Sequence, residues 1–269
     1  MFKLKPDNSY MMPAHFGARY AGPTSTGWYH DVTAMTISYV TDRKRLAELL
    51  PQRFEVAEKP VISVFYACNR NIDWLAGHGY NMIGVNADVV YRGEEETLEG
   101  TYALVIWENL TDPILSGREL QGIPKVYADI PDHSTNGGTW RCNASHFGHK
   151  IIDMEISNIR APELEEIAVS AQAKQGKDNP MGWRYMQKAG ELEPRVDEYT
   201  TYPSENHINQ IMLGDGKLDW NELSWEQNPT QFHIVNAMRD LPILEYRPAA
   251  ITKGSTNLFL PNRMTRVLK

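Results

Sequence analysis

At 269 residues the chain is long enough for one large β domain or two small domains. Its 42% hydrophobic and 23% charged residues are ordinary globular usage and argue against a disordered or fibrous class. A formal charge of −7 argues against nucleic acid or an anionic membrane as the main partner, so an anionic substrate must meet a local positive site. Cys68 and Cys142 lie far apart without a C-x-x-C pattern, which fits neither a disulfide framework nor a zinc site and points to a reducing compartment. Met1 to Gly17 contains no apolar run of the secretory type, and no stretch approaches the ~20 apolar residues of a membrane helix. The expectation is a soluble cytoplasmic protein.

The first 27 residues are rich in Pro, Gly, Ser and Thr and read as an irregular arm laid over the domain. Tyr29 to Val40 alternates, Val32, Ala34, Thr36 and Ser38 against Thr33, Met35, Ile37 and Tyr39, which predicts a strand. Thr41 or Asp42 then caps a short helix over Arg43 to Leu50 that Pro51 ends. Val61 to Cys68 is an apolar and aromatic run expected as a strand buried on both faces. Val85 to Arg92 and Thr101 to Trp107 predict a hairpin whose Gly93-Glu94-Glu95-Glu96 tip stays in water.

Lys125 to Ile130, Thr139 to Phe147 and Lys150 to Ile159 continue the strands, with a turn at Asn136-Gly137-Gly138. The pattern indicates a largely antiparallel β core. Pro162 to Lys174 is the one longer helix expected, with Pro at its first turn and Glu163, Glu165 and Glu166 at its positive end. Met181 to Met186 and Asn206 to Leu213 read as strands. Gly214-Asp215-Gly216-Lys217 reads as a turn, and its spacing excludes a phosphate loop. A short strand or two around Leu258 to Leu260 closes the chain. With no repeat or linker, a single domain over residues 1–269 is the simplest organisation.

Other constellations carry less. His146 and His149 are three positions apart in a strand and so point to opposite faces, which does not suit a metal. There is no Gly-x-Ser-x-Gly elbow and no dinucleotide glycine pattern. The tryptophans, Trp107 among them, are read as core or interface residues.

The string Gly117-Arg118-Glu119-Leu120-Gln121-Gly122-Ile123-Pro124-Lys125-Val126 is different, because a lysine between Pro124 and Val126 is an odd place for a side chain usually left in water. At a reference pKa of ~10.4, about one amine in 2500 is a free nucleophile at neutral pH, a handicap near ~4.6 kcal/mol. Burial offsets much of it, and the amine then attacks a ketone to give an imine that accepts electrons from a breaking bond. That chemistry requires no metal and no organic cofactor. Arg118 and Glu119 are expected to support the Lys125 loop through ion pairs or hydrogen bonds.

Gly-Arg-Glu-Leu, then three residues, then Pro-Lys resembles the signature around the Schiff-base lysine of the acetoacetate decarboxylase superfamily. His30 through Tyr39 with Thr41-Asp42, Pro229-Thr230-Gln231-Phe232, Asp240-Leu241-Pro242 and Leu260-Pro261 fall in the family's order. The resemblance implies a cone-shaped, mainly antiparallel β-barrel with an interior pocket, peripheral helices and assembly into homo-oligomers. Lys125 falls at the imine-forming lysine. The family's second lysine falls at Val126, its arginine at Val32, and its active-site glutamate near Met82.

Those apolar replacements imply a larger, drier pocket, with Met82, Trp107 and Val32 as candidate substrate-contacting residues. The function implied is a cofactor-independent lyase acting on a keto acid or ketone, with decarboxylation first and aldolase or dehydratase chemistry second. A barrel that binds an apolar small molecule without turnover is the rival of another class.

Overall fold

A computed structural model describes residues 2–167, 177–260 and 264–269. Runs rich in Val, Ile, Tyr and Thr form β1 (Trp28–Val40), β2 (Phe54–Val56), β3 (Val61–Ile72), β4 (Tyr80–Arg92) and β5 (Thr97–Glu108). Next come β6 (Lys125–Tyr127), β7 (Ser134–Asn136), β8 (Thr139–His146), β9 (His149–Arg160), β10 (Pro180–Gln187) and β11 (Pro194–Thr201). β12 (Glu205–Trp220), β13 (Glu245–Tyr246), β14 (Ala249–Asn257) and β15 (Arg266–Val267) complete the series.

These fifteen strands form one sheet, twelve of them in the order β15-β11-β10-β5-β4-β3-β1-β14-β12-β9-β8-β7, with β13 paired to β1, β2 to β4 and β6 to β5 beside that path. Its two ends do not meet, so the expected barrel is an open sheet. Nor is it purely antiparallel, because β5 runs parallel to both β6 and β10.

Period-two alternation sets the core. On β1, Met35, Ile37 and Tyr39 are buried, and they meet Tyr66, Ile83, Val85 and Trp107 in the main cluster. Two smaller clusters form elsewhere, one around Tyr29, Ile72 and Tyr80 and the other around Ala103, Ile106 and Ile123; Met82 packs against both.

Several expectations change. The Asp42 carboxylate accepts from Arg45 N at 2.9 Å and caps a helix that stops at Ala47, short of Leu50. Gly214 to Lys217 is no turn: it lies inside β12, beside a register shift between Leu213 and Asp215. A Cβ at Gly214 would stand 2.5 Å from Ser157 O, and one at Gly216 would stand 2.7 Å from Ile37 Cγ2. The glycines therefore serve close approach within the sheet rather than chain reversal.

The Glu94–Glu96 tip is tied down. Glu96 takes both guanidinium nitrogens of Arg266 at 2.7 and 2.8 Å, and Glu94 pairs with Arg53 at 2.7 Å. Residues 258–260 form no strand; β14 and β15 flank them. Of the helix expected over Pro162 to Lys174, residues 164–167 are helical, Pro162 and Glu163 precede the helix, and residues 168–174 lie outside the described residues, as does Pro261.

Candidate active site

Lys125 opens β6, where it pairs with Ile106 of β5. Alternation along β5 sends Ile106 and Glu108 to one face and Trp107 to the other. The Lys125 ammonium thus meets a carboxylate: Nζ lies 2.8 Å from Glu108 Oε1, and it donates to Pro113 O at 3.2 Å. Lys125 is 8% exposed and Glu108 0%. Burial pushes the Glu108 carboxyl above its ordinary range, and Lys125 beside it opposes part of that rise. The second oxygen, Oε2, has no hydrogen-bond partner among the described residues.

The segment between β5 and β6 shapes this arrangement. A helix over Thr111–Ser116 passes into a wider π-type turn at Gly117–Gln121. Gly117 is needed where the lysine passes: a Cβ there would stand 2.5 Å from Lys125 Cδ and 2.7 Å from Cε. Gly122 ends the turn at φ +74°, where a Cβ would stand 2.6 Å from Arg184 N. Arg118 Nη1 donates to Lys125 O at 2.9 Å, and Arg184 Nε donates to Glu119 O at 2.6 Å. Arg118 therefore supports the lysine's strand, while Glu119 acts through its backbone carbonyl.

Lys125 lines a cavity of about 190 Å³ between the two smaller clusters. Met82 lies on its wall, with Phe65, Trp74, Tyr29 and Tyr80. Trp107 does not: it is fully buried in the main core, where its Nε1 donates to Gln231 Oε1 at 2.7 Å. Val32 packs against the Tyr29 cluster and is not among the lining residues. Val126 pairs with Trp107 and joins the main core, so the residue after the lysine points away from it.

Glu108 is the residue that sequence reasoning missed. The sequence pattern ends this strand at Trp107; carried one residue further, to Glu108, its alternation places Glu108 beside Ile106, on the lysine's side. Tyr20 and Gly27, from the irregular arm, also line the cavity and carry no local signal for it.

As an assembly, a buried amine and a buried carboxyl within proton-transfer distance can exchange one proton without solvent. With the proton on Glu108 the amine is a nucleophile; with it on Lys125 the pair is ionic.

The acetoacetate decarboxylase family model matches residues 11–256. Acetoacetate decarboxylase 1 of Bradyrhizobium diazoefficiens is 31% identical over 150 residues, 53% of this chain and 56% of that protein, so the match spans little more than half of the relative's length. The crystal structure of acetoacetate decarboxylase from Legionella pneumophila superposes with a TM-score of 0.70 at 17% identity, over 90% of this chain and 86% of that one. The enduracididine biosynthesis enzyme MppR, complexed with the condensation product of pyruvate and imidazole 4-carboxaldehyde, gives 0.67 at 13% identity, over 98% and 97%. The fold therefore also serves proteins with other names. With the family match covering most of its length, the chain belongs to the acetoacetate decarboxylase family.

Proposed function

We propose that the chain is a lyase in which Lys125 forms an imine with a keto acid or ketone and uses it to accept the electron pair of a breaking C–C bond. One observation carries this reading: a buried amine beside a cavity, 2.8 Å from a buried carboxylate. Glu108 takes the ammonium proton, the free amine adds to the carbonyl, and Glu108 returns the proton as water leaves. The protonated imine then draws in the electrons of the bond to the α carbon. In decarboxylation carbon dioxide leaves and Glu108, reprotonated from solvent, protonates the enamine; in aldol cleavage Glu108 takes that proton from the β-hydroxyl; hydrolysis of the imine completes the cycle.

The family favours decarboxylation as the cleavage. An aldol form is favoured by one specific observation, that Lys125 is the only charged residue among the described residues lining the cavity. The reading also draws on MppR, which holds a pyruvate condensation product in a similar fold.

Borohydride reduction in the presence of candidate ketones, followed by peptide mass analysis, tests the reading. It predicts a reduced adduct on Lys125 that is lost in Lys125→Met. Adducts at surface lysines alone, across a broad panel, would remove it. Tight ligand binding by Lys125→Met with no adduct in the wild type would favour the non-catalytic binding barrel.

A further inference from the structure

Among the described residues the cavity's polar groups, apart from Lys125, are neutral: Asn86, Thr101, Ser116, Gln121, Ser204 and several tyrosines. Arg19 lies over the rings of Tyr20 and Trp74, at 5.7 and 5.9 Å from their centroids, but it is held by Asp112 at 3.3 Å and does not line the cavity. The buried charge balance then decides what fits. After imine formation the nitrogen keeps a positive charge, and Glu108 already meets it. A substrate carboxylate would add an unmatched buried charge unless Glu108 drew another proton from solvent, at a desolvation cost that no further cation among the described lining residues offsets.

The tyrosines add a second selection. Trp74 Nε1 donates to Tyr29 Oη at 3.2 Å, and the Tyr29 and Tyr80 hydroxyls lie 3.2 Å apart. Only one of their two hydroxyl protons is used between them; the other has no acceptor among the described residues. That leaves one buried neutral donor on the cavity wall for a ligand oxygen. The volume, about 190 Å³, exceeds the ~150 Å³ apolar cavity that admits benzene. Phe65, Trp74 and Phe259 offer faces and edges to a ring.

From these observations, and resting on the imine reading above, we infer that the site takes an uncharged ketone bearing an aromatic or similarly sized apolar group and a second oxygen. The corresponding cleavage is that of a β-hydroxy ketone. The bond between α and β carbons breaks, its electrons pass into the imine, and the hydroxyl proton goes to Glu108. An aldehyde leaves, and the enamine takes the proton back before water releases the ketone.

The test compares borohydride trapping of the full-length protein by benzylacetone with trapping by phenylpyruvate and pyruvate, each rate normalised to that with free lysine. The inference predicts at least a tenfold preference for benzylacetone at Lys125. Equal or faster trapping by the acids would overturn it, most clearly if that trapping fell in Arg19→Ala, which would reveal an anion site at the rim.

Calorimetric titration of Lys125→Met separates the two levels of the account. If nothing traps in the wild type yet the variant binds benzylacetone over phenylpyruvate, the imine reading fails and the selection of a neutral ligand stands. If the variant binds the acid as well or better, the selection fails whatever the trapping shows.

Discussion

Replacing Gly117 by alanine isolates the packing that places the lysine. Gly117 has ordinary helical backbone angles, φ −65° and ψ −42°, so alanine is conformationally permitted. Its helix propensity is better than that of glycine by about 0.8–1.0 kcal/mol. The added Cβ, however, would stand 2.5 Å from Lys125 Cδ, some 0.9 Å inside ordinary contact at 3.4 Å, and 3.0 Å from Nζ itself. The flexible lysine gives way rather than the backbone, so the fold is little affected and the amine leaves its place beside Glu108.

A displacement of about 1 Å at a reacting group can cost ~100-fold in rate. Borohydride trapping by a ketone that modifies the wild type is expected to slow by about two orders of magnitude in Gly117→Ala, with the melting temperature within a few degrees of wild type. An unchanged trapping rate would refute the claim that this glycine exists to admit the lysine.

Gly122→Ala should behave in the opposite way: φ +74° and the nearby Arg184 backbone leave no flexible partner to yield, so a loss of about 2–4 kcal/mol is expected by denaturant unfolding. Trp107→Phe removes the donor to Gln231 Oε1 and should cost about 1–3 kcal/mol from the orphaned acceptor, with cavity packing adding to it, while trapping at Lys125 continues. The Arg266 guanidinium, with Lys269 behind it, holds the Glu96 carboxyl down to about 2 against an ordinary 4.5. A carboxyl lowered on folding contributes stability above pH 4.5 that disappears as pH falls toward 2. Unfolding measured across that window should show wild type losing on the order of 1 kcal/mol more than Glu96→Gln, the modest size reflecting a surface pair.

Much of the fold is legible because period-two alternation survives in the buried strands: Met35, Ile37 and Tyr39 declare one face of β1 without outside help. The reading fails where a local signal has two physical uses. The glycines at 214 and 216 have turn-like spacing, yet they stand where neighbouring strands press too close for a side chain. Sheet closure is also beyond a local pattern, since it depends on whether β15 and β7 find each other.

The site divides in the same way. Lys125 is conspicuous because its neighbours are apolar and the string around it is specific. Glu108 is concealed at a strand end, where one residue's difference in the boundary hides the alternation that aims it. Tyr20, Phe65 and Leu258 come to the cavity from distant stretches, and only the folded sheet brings them together. Trp107 shows the limit of choosing wall residues by apolar character, for its neighbours on β5 face the site and it does not.

Imine formation and its reversal replace a ketone's carbonyl oxygen with one from water, whatever bond is cleaved afterwards. Incorporation of label from isotopically enriched water into a ketone that yields the reduced adduct is therefore the most direct measurement of the central claim. Wild type should speed exchange well above the buffer rate, Glu108→Gln should lower it by roughly 10²–10⁴-fold, and Lys125→Met should return it to background. Exchange that persists undiminished in Lys125→Met would contradict the assignment of the reaction to this amine.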